Sequence, residues 1–70
     1  MNFDYELILP KDNHWQMSKW CTQQLGPRWE AMKYRQGIWC TFWGGRDYFE
    51  KYRWYFKNEK DMVWFKLRWL

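Results

Sequence analysis

Residues 3–9 alternate in character, and their odd positions, Phe3, Tyr5, Leu7 and Leu9, are all apolar. A period of two predicts a strand with one buried face. Pro10 is expected to end this strand, because proline cannot donate a hydrogen bond to a strand ladder.

The next segment has the pattern of a helix. Asp12 or Asn13 can cap its start, and Gly26-Pro27 is the usual order at a helix end. Small side chains on its contact stripe predict close approach to a sheet. The stripe consists of His14, Met17, Ser18, Cys21 and Leu25.

Three further strands are predicted at residues 28–34, 38–43 and 49–57, separated by turn signals at 35–37 and 44–47. Asn58 then favours a helix start, and the acidic residues of the following turn suit the helix dipole. This last helix is expected to run to about Trp69.

These elements predict a single domain, residues 1–70, with a two-layer α+β fold in the order β-α-β-β-β-α. The last three strands form an antiparallel meander, and both helices cover one face of the sheet. The first strand joins an edge of the meander, beside either the second or the fourth strand.

The alternation within the predicted strands assigns side chains to the two sheet faces. Trp54 and Phe42 are expected to be almost fully buried, and the other predicted core positions are Trp29, Ala31, Ile38, Cys40, Tyr52 and Phe56. The opposite, open face is predicted to combine aromatic rings with cations. Its candidate binding residues are Arg28, Tyr34, Trp39, Trp43, Arg53, Tyr55 and Lys57.

Such a face has two functional interpretations and one structural one. Aromatic residues and Arg are enriched at protein interfaces, so the partner is a second copy of the chain or a host protein. Rings beside cations also bind single-stranded nucleic acid, since bases stack and phosphates pair with Arg and Lys. Alternatively, the rings only make cross-strand packing contacts. The last helix offers a secondary candidate, Trp64 between Lys60 and Arg68.

Composition makes the fold credible and weakens the case for catalysis. The 70 residues include 8 Trp, 5 Tyr and 5 Phe, which supply a large core for so short a chain. The net charge is +4, and it is uneven: residues 1–27 carry two Lys and three acids, whereas residues 28–70 carry ten bases and five acids. A basic second half favours an acidic partner.

Chemistry-bearing residues are few. His14, Cys21 and Cys40 lack the paired spacing of zinc ligands, no phosphate-binding loop is present, and no catalytic constellation is visible. We therefore expect a non-enzymatic protein without a cofactor or metal. Reduced, buried cysteines, an acidic N-terminal segment and the lack of a long apolar run predict a cytoplasmic protein without membrane contact.

Two resemblances extend this interpretation. The order helix, three strands, helix over residues 13–69 resembles the double-stranded RNA-binding domain. That family has a lysine cluster at the start of its last helix, where this chain has Asn58-Glu59-Lys60-Asp61. Residues 52–61, YRWYFKNEKD, followed by WFKLRW at 64–69, resemble the C-terminal end of small uncharacterised proteins of tailed marine phages, including cyanophages. The second resemblance implies a phage origin and a host-cytoplasm setting.

Overall fold

The predicted strand and helix patterns form five elements of a small α+β fold. The computed structural model describes residues 3–33 and 36–70. The elements, in chain order, are β1 (Tyr5–Pro10), α1 (His14–Leu25), β2 (Trp39–Trp43), β3 (Lys51–Phe56) and α2 (Glu59–Trp69). None of the helices in these residues is long and apolar enough to cross a membrane.

The three strands form an antiparallel sheet in the order β1-β3-β2. Leu7 lies opposite Trp54 on one side of β3, and Thr41 lies opposite the same residue on the other side. The N-terminal strand therefore pairs with the last strand, which resolves the choice between the two edges. The middle strand of the sheet is the last strand of the chain.

The prediction of a strand at residues 28–34 is wrong for residues 28–33, the part that the structure describes. Residues 28–33 contain only an isolated bridge at Glu30, followed by a turn, and Tyr34 lies outside the described residues. The Trp29 N–H donates to the Trp39 carbonyl at 2.9 Å, after which the chain turns away. Between the helices, the described chain thus has two strands rather than the three of the double-stranded RNA-binding domain.

The phase of β2 is opposite to the predicted one. Trp39 is 1% exposed and Thr41 2%, and both lie on the sheet face that the helices cover, which we call the inner face. Phe42 lies on the other face, the outer face, and is 42% exposed, so its predicted burial is wrong. Trp54 is fully buried on the inner face, as predicted.

Four of the other predicted core positions also differ from the prediction in their burial or in the face they occupy. Cys40 is buried, but on the outer side of the sheet, where its thiol contacts the Trp29 carbonyl at 3.4 Å. Ile38 and Trp29 are half-buried, and Ala31 is exposed. Their pattern fits a short covering segment beside β2 rather than a fourth strand.

Both helices pack on the inner face, as the two-layer prediction required. Met17 and Cys21 are the buried residues of α1, and Phe65 is the buried residue of α2. The Phe65 ring centre lies 4.9 Å from that of Trp54 and 5.1 Å from that of Phe56. The small Cys21 side chain leaves room for these rings, and the Trp39 Nε1–H donates to the Gly26 carbonyl at 2.7 Å.

The apolar arc of α2 is only partly buried. Met62 and Trp69 pack against the core beside Phe65, whereas Val63, Leu67 and Leu70 are exposed. The helix therefore buries a narrower stripe than its apolar composition predicts, and apolar surface remains on its outward side.

Candidate functional site

The outer face of the sheet lies opposite the helix layer. Strand register places Ile8, Arg53 and Phe42 in one row across the three strands, and Glu6 and Tyr55 in the next row. Ile8, Arg53 and Tyr55 are half-buried, and Phe42 is exposed. Since successive strand residues point to opposite faces, these side chains share one surface. It is the first candidate site.

Arg53 lies at the centre of the outer face. Its Nη2 donates to the Gly44 carbonyl at 3.4 Å, and its guanidinium carbon lies 5.4 Å from the centre of the Tyr48 ring. Its Nε is buried and has no hydrogen-bond partner among residues 3–33 and 36–70. Because the Nε is buried, a partner molecule can contact this half-buried side chain only through its Nη groups.

Tyr55 links the two charges of the outer face. Hydrogen bonding with Tyr55 raises the pKa of Arg53. Burial raises the pKa of the Tyr55 hydroxyl, and a hydrogen bond with Glu6 raises it further. The phenol thus stays protonated, donating to the carboxylate and accepting from the guanidinium. One acid and one base sit together among the rings Phe42, Tyr55 and Tyr48.

Only part of the predicted open face is assembled here. Arg53 and Tyr55 lie on the outer face, whereas Trp39 is in the core and Trp43 is on the inner face, partly exposed at the end of β2. The other predicted positions are not part of this row. Lys57 is exposed just after β3, and Arg28 is exposed, with its Nη2 3.9 Å from the Glu30 Oε1. Tyr34 is outside the described residues.

The secondary site on α2 has different contacts from those predicted. Trp64 is 43% exposed, and its ring meets Trp20 of α1 edge-on, with the ring centres 5.0 Å apart. The Arg68 guanidinium lies over Trp69, at 4.2 Å from the ring centre, and Lys60 is exposed. Trp64 is therefore a partly open ring beside the other helix.

Sequence reasoning missed the contribution of α1 to this region. Gln16, Lys19, Trp20 and Gln23 follow the i, i+3, i+4, i+7 spacing and form one stripe. Together with Arg68 and Trp69 they line a groove of about 200 Å³ between the two helices. The helical spacing was visible in the sequence, but its position beside α2 was not.

The histidine and the cysteines do not form a reactive centre. His14 stacks on Tyr52 with ring centres 3.6 Å apart, and burial, with nearby Arg28, lowers its pKa. Burial raises the pKa of Cys21 to about 12 and also raises that of Cys40, which disfavours both thiolates. Both cysteines are free. The described part of the chain contains no group of three His, Cys, Asp or Glu side chains suited to a metal ion.

The fold places this protein in the α+β class. No protein-family model matches the chain, and no curated protein or solved structure matches it either. The resemblance of residues 52–69 to tailed-phage proteins stays a prediction. The outer face and the groove between the helices are therefore the two candidate binding surfaces of the described chain.

Proposed function

We propose that this protein is a small non-enzymatic binding module that associates with a second copy of itself through the outer face. The observation that supports this most directly is the row Ile8, Arg53 and Phe42, which places exposed apolar surface and a half-buried guanidinium on the sheet side away from the helices. Aromatic residues and Arg are enriched in interface cores.

The charges of the outer face favour a second copy as the partner. A two-fold interface brings each residue of one patch against the same patch of the other protomer. Glu6 and Arg53 have opposite signs and lie in adjacent rows, so each can meet its counterpart across the two-fold axis. The charges of Glu6 and Arg53 cancel, so the contact surface itself adds no like-charge repulsion when two copies of this +4 chain approach.

The predicted alternative, single-stranded nucleic acid on the same face, has less support. Phosphate binding needs an excess of cations, and Glu6 lies next to the central Arg53. Because a three-stranded sheet offers a small surface, we expect the proposed dimer to be weak, with a Kd for self-association of about 1–100 µM. The resemblance of residues 52–69 to tailed-phage proteins implies that the protein acts in the cytoplasm of an infected host. It implies no activity.

A charge-swap experiment tests the dimer. Glu6→Arg and Arg53→Glu should each weaken self-association in sedimentation equilibrium, because each creates like-charge contacts across the interface. Mixing the two variants should restore dimers, since both contacts are then between opposite charges. Glu59→Arg, a charge reversal on α2, is the matched control and should leave association unchanged.

Circular dichroism establishes that the variants are folded. If Arg53→Glu does not fold, Phe42→Ser replaces it, because Phe42 is exposed and its removal should weaken the dimer without unfolding the domain. A wild-type chain that stays monomeric at several hundred micromolar, or a mixture that fails to restore association, would overturn the proposal.

A further inference from the structure

The groove between α1 and α2 has a chemistry different from that of the outer face. Both of the charged side chains that line it are cations, Lys19 and Arg68, and none of the described residues lining it is acidic. Lys60 lies two turns before Arg68 on the same flank of α2. The groove therefore attracts an anion and disfavours a second copy of this basic chain.

Aromatic surface lies beside these cations. Trp20 and Trp69 line the groove, and Trp64, whose ring meets Trp20, is 43% exposed next to it. The Arg68 guanidinium lies over the Trp69 ring, which holds its charge at the groove wall. Planar rings next to cations suit a ligand that has both a flat face and a negative charge.

Polar side chains also line the groove. The amides of Gln16 and Gln23 lie along the same wall, and each both donates and accepts hydrogen bonds.

We propose that this interhelical groove binds single-stranded nucleic acid. Phosphates pair with Lys19 and Arg68, a base stacks on the exposed ring of Trp64, and the glutamine amides meet polar atoms of the same nucleotide. A duplex keeps its base faces stacked and hidden, so stacking on Trp64 requires a single strand. The site is independent of the outer face and of the proposed dimer.

Fluorescence anisotropy with a labelled oligo-dT of about twelve nucleotides tests the site. Trp64→Leu should weaken binding about tenfold or more, because it removes the stacking ring and keeps apolar volume. Trp15→Leu is the matched control, since Trp15 is 82% exposed on α1, is not among the residues that line the groove and should leave the affinity unchanged.

The salt dependence tests the cations. Each phosphate neutralised contributes about −0.7 to the slope of log K against log salt, so Arg68→Gln should make the slope shallower by about 0.7. Arg46→Gln, in the turn between β2 and β3, should leave the slope unchanged. Unfolding of Trp64→Leu would not end the test, because exposed Arg68 can still be replaced.

Two results would overturn the proposal. One is oligo-dT binding that is unaffected by both Trp64→Leu and Arg68→Gln. The other is competition by poly-glutamate as effective as that of unlabelled oligo-dT at equal charge, which would show that the groove binds acidic peptides without using base stacking. A Trp64-dependent quench of fluorescence by oligo-dT but not by poly-glutamate supports it.

Discussion

Trp54 and Phe42 are aromatic residues on neighbouring strands with opposite environments. Trp54 is fully buried between the helices and the sheet, whereas Phe42 is 42% exposed on the outer face. Trp54→Ala should therefore lower the free energy of unfolding by about 3–5 kcal/mol. Phe42→Ala should cost about 1 kcal/mol, because it leaves no enclosed cavity.

Urea unfolding followed by circular dichroism measures both changes. The protein concentration is kept low, so that self-association does not add to the stability of the wild type. Equal losses for the two variants would contradict the assignment of Phe42 to the outer face.

Cys21 gives a pH dependence whose sign can be worked out. Burial raises its pKa to about 12 in the folded protein, whereas an unfolded thiol titrates at about 8.5. Above the lower value the unfolded chain loses a proton that the native state keeps. The contribution of Cys21 to the free energy of unfolding is therefore fully present below about pH 8.5. It falls as pH rises towards 12, by up to about 1.4 kcal/mol per pH unit.

Cys21→Ala isolates this effect. Between about pH 8 and pH 10, its unfolding free energy should decline less steeply than that of the wild type. Cys40 and Tyr55, whose pKa values are also raised, are present in both proteins, so they do not account for the difference. Parallel slopes for the two proteins would show that Cys21 does not keep its proton in the native state.

At the scale of elements, the residues that end or begin helices and strands were the reliable signals. Pro10, Gly26-Pro27 and Asn58 correctly predicted where β1 ends, where α1 ends and where α2 begins. These residues act through local backbone geometry, which the sequence contains in full. One boundary of each of these three elements could be predicted closely for that reason.

The phase of β2 could not be predicted in the same way. Its sequence, WCTFW, has one polar residue, and Thr41 indicated which face meets solvent. The Thr41 hydroxyl instead donates to the Arg53 carbonyl at 3.1 Å, so it is buried without an unpaired group. The large Trp39 ring fills the space under the helices. Reversing the phase exchanged Trp39 for Phe42 and so changed the candidate site.

The close packing of the segment before β2 requires a glycine at position 37. A Cβ at Gly37 would overlap the backbone of Trp29, coming within 2.7 Å of its Cα. This close approach lets residues 28–30 lie beside β2 and cover Cys40. Gly37→Ala should lower the free energy of unfolding by about 1–3 kcal/mol, because backbone atoms must move apart.

Gln36→Ala is the control for this prediction, since Gln36 is an exposed neighbour whose replacement should change stability by less than about 0.5 kcal/mol. Thermal unfolding of the three proteins compares them directly. A Gly37→Ala variant as stable as the wild type would show that the segment does not pack closely on Trp29.

For the whole molecule, the two candidate surfaces lie on different layers. The outer face belongs to the sheet, and the groove belongs to the helix layer on the other side. A dimer formed through the outer face would leave a groove open on each protomer. Neither arrangement follows from the sequence alone, because each requires residues from separate elements to meet.

The strand order β1-β3-β2 also has a consequence for synthesis. Both of the edge strands pair with β3, the last strand of the chain to be made. A ribosome adding about 5–20 residues per second finishes β3 roughly 2–9 s after β1. Throughout that interval β1 has no complete ladder partner, and Trp39, once it has been added, has no Trp54 to pack against until residue 54 is made. The sheet therefore cannot form before β3 has been made, so the fold assembles from a chain in which β1 and α1 have long been complete.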